Sequence, residues 1–193
     1  GTKVICLGSG QTYTLSRDTA AEDENSAAED DLDIGADITI EGNGSTVQRD
    51  PSLTCNLDYT PQVGEFRIFT VFPDTKLTLK DLTVRNGCAD HYLGNVGGGI
   101  SNTGTLTIIN STISGNTAIN LGGGISNSGT LTIQSSTISG NSTGSGSIGI
   151  YQGGGIYNDG TLTIQSSTIS GNSSPIGGGI FNNMYYGTVT ITN

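Results

Sequence analysis

The chain has 193 residues and a formal net charge of −10 at pH 7, with 31 glycines and no tryptophan. This acidic balance argues against nucleic acids and anionic membranes as partners, because both carry dense negative charge. No apolar run approaches the length of a membrane span, so we expect no direct insertion of this segment into a membrane.

The first 97 residues predict irregular turns of a β-helix that are interrupted by loop insertions. Short segments in this part alternate polar and apolar residues with period two, which is typical of strands with one buried face. These segments lie at 4–7, 12–15, 32–34, 37–40, 45–47, 70–72, 76–79 and 82–84. We expect the insertions at 50–65 and 86–97 to form surface loops.

An acidic stretch runs from Asp18 to Asp33 within this first part. Carboxylate oxygens are ligands that calcium prefers, and Asp30, Asp31 and Asp33 are the candidate calcium ligands. The stretch has no EF-hand spacing, and a solvated acidic loop is the alternative interpretation. Apart from this candidate calcium ion, we expect no cofactor.

The chain contains three cysteines, Cys6, Cys55 and Cys88. Cys55 and Cys88 each follow the outer strand of adjacent predicted turns, so the two side chains can meet side by side. We therefore favour a Cys55–Cys88 disulfide, which fits an extracellular compartment. Cys6 is expected to be a buried small apolar residue near the end of the rod, and the other pairings remain open.

Four copies of one repeat fill the second half of the chain, at 97–116, 122–141, 153–172 and 177–193, the last of them shortened. Self-similarity at such a period is typical of a solenoid, propeller or array. Three short strands in about 25 residues, without helical periodicity, predict one turn of a right-handed parallel β-helix. We expect about seven turns in a single domain of residues 1–193, with 98–193 as its regular part and a surface loop at 142–152.

Two sets of polar residues recur at fixed positions of the repeat. Asparagines at one corner are predicted to bond to each other along the rod axis as a structural ladder: Asn102, Asn127, Asn158 and Asn182. Outward threonines of one strand are predicted to form a flat grid: Thr105, Thr107, Thr130, Thr132, Thr161, Thr163, Thr188 and Thr190. Asp37 and Lys76 interrupt this grid in the first part of the chain.

The threonine grid resembles the Thr-x-Thr face of β-solenoid antifreeze proteins. Outward residues two apart on a strand lie about 6.5–7 Å apart, and neighbouring turns about 4.8 Å. The alternative is that threonine is a favourable outward strand residue with no further role.

The repeat also resembles that of the polymorphic outer-membrane-protein (Pmp-type) family. Gly-Gly-Gly-Ile, as at 97–100, corresponds to the GGA-Ile/Leu/Val tetrapeptide of that family, and Ile-Ser-Gly-Asn, as at 113–116, to its Phe-x-x-Asn tetrapeptide. The segment 13–44 is similar to the one that leads into the repeats of bacterial secreted CSLREA-domain and choice-of-anchor proteins. These resemblances imply a β-helix and a secreted or cell-surface location.

We therefore expect a non-catalytic extracellular protein: an adhesin, stalk or filament module. Its partner would be another copy, stacked head-to-tail, or a host or surface protein or glycan. Ice binding by the threonine grid is the alternative, and a polysaccharide-processing enzyme is the third. Catalysis of that kind uses a basic residue or paired carboxylates, whereas all Lys and Arg precede residue 86 and the only acids after Asn86 are Asp90 and Asp159.

Overall fold

The computed structural model describes residues 1–16, 31–58, 64–89, 96–145 and 150–193. Within these ranges the chain forms strands and no helix, and the strand pairings are parallel. The predicted all-β architecture with long parallel sheets and repeated strands is confirmed. It is the arrangement of a β-solenoid.

The strands stack in rows, in which each strand pairs with its equivalent one repeat further along the chain. The first row contains β1 (Lys3–Cys6), the first parts of β4 (Ile38–Arg49) and β6 (Lys76–Arg85), β9 (Thr105–Ile109), β13 (Thr130–Gln134), β17 (Thr161–Gln165) and β20 (Thr188–Thr192). The second row contains β2 (Thr12–Leu15), the second parts of β4 and β6, β10 (Thr112–Ser114), β14 (Thr137–Ser139) and β18 (Thr168–Ser170).

Two further rows complete the described strands. The third row contains β3 (Leu32–Ile34), β5 (Phe69–Val71), β8 (Ile100–Asn102), β12 (Ile125–Asn127), β16 (Ile156–Asn158) and β19 (Ile180–Asn182). The fourth row contains β7 (Cys88–Ala89), β11 (Thr117–Ala118) and β15 (Ser142–Thr143).

The core is built from apolar residues that recur in register. Leu106, Leu131 and Leu162 are fully buried and pair in sequence, while the threonines on either side of each face outward. Ile108, Ile133 and Ile164 form a second buried column beside them. Burying each such side chain stabilises the fold by about 1.5–3 kcal/mol.

The fourth row is absent from the three-strand prediction. Its strands are only two residues long, so they carry no period-two pattern, yet Cys88, Ala89 and Ala118 are fully buried. The predicted strand at 70–72 also lies one residue too late, because Phe69, not Thr70, pairs with Ile100 and faces the core.

The corner between the first and second rows uses a left-handed backbone residue in successive repeats. The φ angle is 50° at Asp81, 48° at Asn110, 50° at Ser135 and 47° at Ser166. Asn and Asp adopt this conformation more readily than other non-glycine residues. Asp81 and Asn110, at this corner in the earlier repeats, therefore suit the backbone there.

The corner between the third and first rows requires glycine for a different reason. A Cβ atom on Gly129 would collide with the backbone carbonyl oxygen of Gly104 in the preceding repeat. That carbonyl accepts the N–H of Thr130 at 2.9 Å, so it cannot move away without breaking the ladder.

We expect Gly129→Ala to lower the free energy of unfolding by about 1–3 kcal/mol, as overpacking does elsewhere. Urea unfolding is the measurement, and Ser128→Ala is the control, because Ser128 is exposed at the same corner. The control should change stability by less than about 0.5 kcal/mol. Equal effects of the two substitutions would show that the close axial approach of the repeats does not restrict this corner.

Candidate binding faces of the solenoid

The predicted threonine grid lies on the outward side of the first row. Thr105, Thr130, Thr161 and Thr188 pair in one column, and Thr107, Thr132, Thr163 and Thr190 pair in the next. The second column extends back through Thr78 and Thr39, whereas the first continues into Lys76. The Lys76 backbone N–H binds the Asp37 carboxylate at 3.0 Å, so charge occupies this end of the first column.

The second row carries another threonine column, which the sequence analysis missed. It passes in register through all the described strands of that row: Thr12, Thr46, Thr83, Thr112, Thr137 and Thr168. No charged residue interrupts it. The sequence contains the signal for this column. In each Ser-Thr-Ile-Ser segment the isoleucine faces inward, so the threonine before it faces outward, and aligning these segments as strands places the threonines in one column.

Two open grooves flank the second-row face. A groove of about 320 Å³ lies along the corner that contains Asn43, Asp81 and Asn110, and Thr83 and Thr112 also line it. The Nδ2 of Asn110 donates to the Asp81 carboxylate there. The second groove, of about 450 Å³, lies along the opposite side of the face and is lined by Gln48, Pro51, Arg85, Asn86, Ser114 and Gly115. This face is therefore a flat hydroxyl strip between two polar channels.

The corner asparagines bond to each other along the axis. The Nδ2 of Asn102 donates to Asn127 at 2.6 Å, that of Asn127 to Asn158 at 2.7 Å, and that of Asn158 to Asn182 at 2.7 Å. Asn127 and Asn158 are fully buried.

A second axial series, beside the fourth row, runs through Asn116, Asn141 and Asn172, with amide-to-amide distances of 2.9 and 3.0 Å. The Oδ1 of Asn141 also accepts the backbone N–H of Asn116 at 3.0 Å. Buried serines form a comparable series that was not predicted, in which the Ser111 N–H binds the hydroxyl of Ser136 at 3.1 Å.

Two charged residues near these faces, Lys80 and Arg85, bond to side chains of the preceding repeat. Lys80 and Glu41 form an ion pair at 2.8 Å, and the Nε of Arg85 donates to Gln48 at 2.7 Å. Both pairs lie in the first half of the chain. In the regular repeats the first-row and second-row faces therefore present mainly hydroxyls and amides.

Two of the three candidate calcium ligands, Asp31 and Asp33, lie near the guanidinium group of Arg67. Asp30 lies outside the described residues. Asp31 accepts a hydrogen bond from the Thr70 hydroxyl, and its carboxylate lies 3.5 Å from the Nε of Arg67. In the part of the chain that the structure describes, no group of three or more His, Cys, Asp and Glu side chains could hold a metal ion.

The Cys55–Cys88 disulfide is present, which confirms that prediction, and it ties the insertion after β4 to β7 with a Cα–Cα distance of 5.8 Å. The expectation for Cys6 is wrong, because this residue is exposed. The register pairs Ile5 with buried Ile40 and Cys6 with Glu41, so alternation turns Cys6 outward. Because all four residues of the segment Val-Ile-Cys-Leu are apolar, the sequence alone does not show which of them face inward.

Comparison with protein-family models, with curated proteins and with solved structures found no match. None of the described residues belongs to a helix that is long and apolar enough to cross a membrane. The disulfide is of a kind that persists in oxidising compartments.

Asp33 provides a test of electrostatics at the edge of the third row. Burial, and then the negative charge of Asp31, raise the pKa of Asp33 to about 6. The folded chain therefore holds a proton between about pH 4 and 6 that the unfolded chain releases. The resulting stabilisation is complete below the unfolded pKa and is lost as the pH rises through 6.

We expect Asp33→Asn to raise the free energy of unfolding at pH 7.5 relative to the wild type, and to change it little at pH 4. Urea unfolding at several pH values measures this. Asp50→Asn should show the opposite pH dependence, because hydrogen bonds from Ser52 lower the pKa of Asp50. A pH-independent effect of Asp33→Asn would contradict this account of its environment.

Proposed function

We propose that the chain is a right-handed β-helix of about seven turns that serves outside the cell as a non-catalytic surface or structural module, such as an adhesin, stalk or filament. The observation that carries this proposal is the unbroken axial register of the first row, from β1 to β20. In the regular repeats this register places threonines at the same two outward positions of the first row. A contact surface built this way is long, flat and stiff.

The second-row face is the contact surface that we assign to this role. Its threonines are half-buried at their bases in the central strands, so little side-chain freedom remains to be lost on binding. The flanking grooves add amide and guanidinium groups that can hydrogen-bond to a partner. The disulfide supports an oxidising, extracellular setting for this contact.

Ice binding is the second candidate, and the threonine column of the second row favours it specifically. That column shows no charged interruption over the described strands, and neither does the first-row column from Thr39 to Thr190, whereas the first-row column that contains Lys76 does. The two candidate functions can be distinguished by experiment, because only ice binding produces thermal hysteresis.

We expect beads that carry the purified chain to be retained under flow on cells or on glycan- or protein-coated surfaces. The triple variant Thr112→Glu, Thr137→Glu and Thr168→Glu should reduce this retention by a factor of about ten or more, since one tenfold step corresponds to about 1.4 kcal/mol. The matched control places the same three charges on the first row, at Thr130, Thr161 and Thr188, and should retain binding.

Retention no greater than that of albumin-coated beads on every surface would contradict the adhesive role. Thermal hysteresis of the wild type that is lost in the second-row triple variant would replace that role with ice binding. An unchanged melting temperature of both triple variants shows that the comparison concerns binding and not folding.

A further inference from the structure

One corner of the solenoid is longer than its equivalents. Between the third and first rows the chain turns through three residues at 35–37 and four at 72–75 in the irregular part, and through two at 103–104, 128–129 and 159–160, but through five at 183–187. The strands on both sides of the long corner keep the register, since Asn158 pairs with Asn182 and Thr161 with Thr188. The three additional residues, Met184, Tyr185 and Tyr186, are therefore not needed to close the turn.

These additional side chains extend into solvent. Met184 is 83% exposed, Tyr185 79% and Tyr186 73%. The backbone beneath them is held in place, because Tyr185 N–H binds the side-chain oxygen of Asn183 at 3.0 Å and Gly187 N–H binds its carbonyl at 2.8 Å. Contiguous exposed apolar residues on a fixed backbone mark an interaction site more often than single exposed residues do.

The neighbouring row becomes aromatic at the same place. The middle position of the third-row strands is Ser101 and Ser126 in two repeats, but Tyr157 and Phe181 in the two that adjoin the long corner. These two rings stack with centroids 5.6 Å apart and planes within 5°. The Nδ2 of Asn183 donates to the Tyr157 hydroxyl at 3.4 Å, so the long corner and the ring pair are connected.

The charged side chain that lies nearest to the four rings in the sequence is Asp159, two residues after Tyr157 and in the equivalent corner of the preceding repeat. After Asp159 the sequence contains no Asp, Glu, Lys, Arg or His. An anionic partner would therefore lose hydration here without gaining an ion pair. A protein partner normally needs about 800 Å² of surface, which three exposed side chains do not supply.

We propose that this aromatic corner, defined as Tyr157, Phe181, Met184, Tyr185 and Tyr186, binds an uncharged polysaccharide. Sugar rings expose C–H faces that pack on aromatic rings, and their hydroxyls can bond to Asn183 and to the tyrosine hydroxyls. The inference goes beyond the structural role of the rod. Failure of the binding test would leave that role unaffected.

The decisive variant deletes residues 184–186, which restores the two-residue corner of the three preceding repeats and so preserves the fold. A second variant, Tyr185→Ala with Tyr186→Ala, keeps the corner length. Ile150→Ala is the matched control, because Ile150 is also apolar and 63% exposed but lies outside the aromatic corner. Affinity electrophoresis and calorimetry with dextran, galactomannan, xyloglucan and mixed-linkage glucan are the probes, with polygalacturonate as the charged comparison.

We expect the wild type to bind at least one of the neutral polymers, and both corner variants to lose at least tenfold in affinity at an unchanged melting temperature. The control should bind as the wild type does. The proposal is overturned if no neutral polymer binds, if only polygalacturonate binds, or if the deletion leaves affinity unchanged. Concentration-dependent self-association that disappears in the deletion variant, without polysaccharide binding, would instead assign the corner to a second copy of the chain.

Discussion

Hydrogen bonding along the rod axis is the interaction on which the rest of the structure depends. Each repeat satisfies the polar groups of the next, through backbone ladders in four rows and through buried side-chain amides. Asn127 shows this most clearly, because it is fully buried and its Nδ2 lies 2.7 Å from the Oδ1 of Asn158. A buried polar group without a partner costs about 1–3 kcal/mol, so a shift of one residue in register would be penalised at many positions at once.

This constraint determines where the chain can vary. Inward positions of the rows carry apolar side chains, outward positions in the regular repeats carry mainly small polar ones, and insertions occur at corners. The insertion after β4 is held by the Cys55–Cys88 disulfide, and the insertion at 184–186 by hydrogen bonds of Asn183. The proposed adhesive face lies on the second row, where threonine recurs in every described strand. The proposed polysaccharide site combines the long corner with Tyr157 and Phe181 of the third row, where the side-chain type changes from one repeat to the next.

Period-two alternation was sufficient to predict the first row, because Leu106, Leu131 and Leu162 repeat with outward threonines on either side. It failed where a strand is too short, or too uniformly apolar, for alternation to show which residues face inward. The two-residue β11 is an example of the first case, and exposed Cys6 in β1 of the second. Alignment of the repeats shows that Tyr157 and Phe181 replace serines at one position, but the aromatic corner needed the structure, which shows that these two rings stack and that Asn183 bonds to Tyr157.

The most direct test of the axial account compares Asn127→Ala with Asn182→Ala in urea unfolding. Asn127 is bonded to asparagines on both sides, whereas Asn182 is exposed and is bonded to one asparagine within the described residues. The account predicts a loss of about 2–3 kcal/mol for Asn127→Ala and less than about 1 kcal/mol for Asn182→Ala. Equal and small losses at both positions would contradict the claim that axial amide bonding holds the repeats in register.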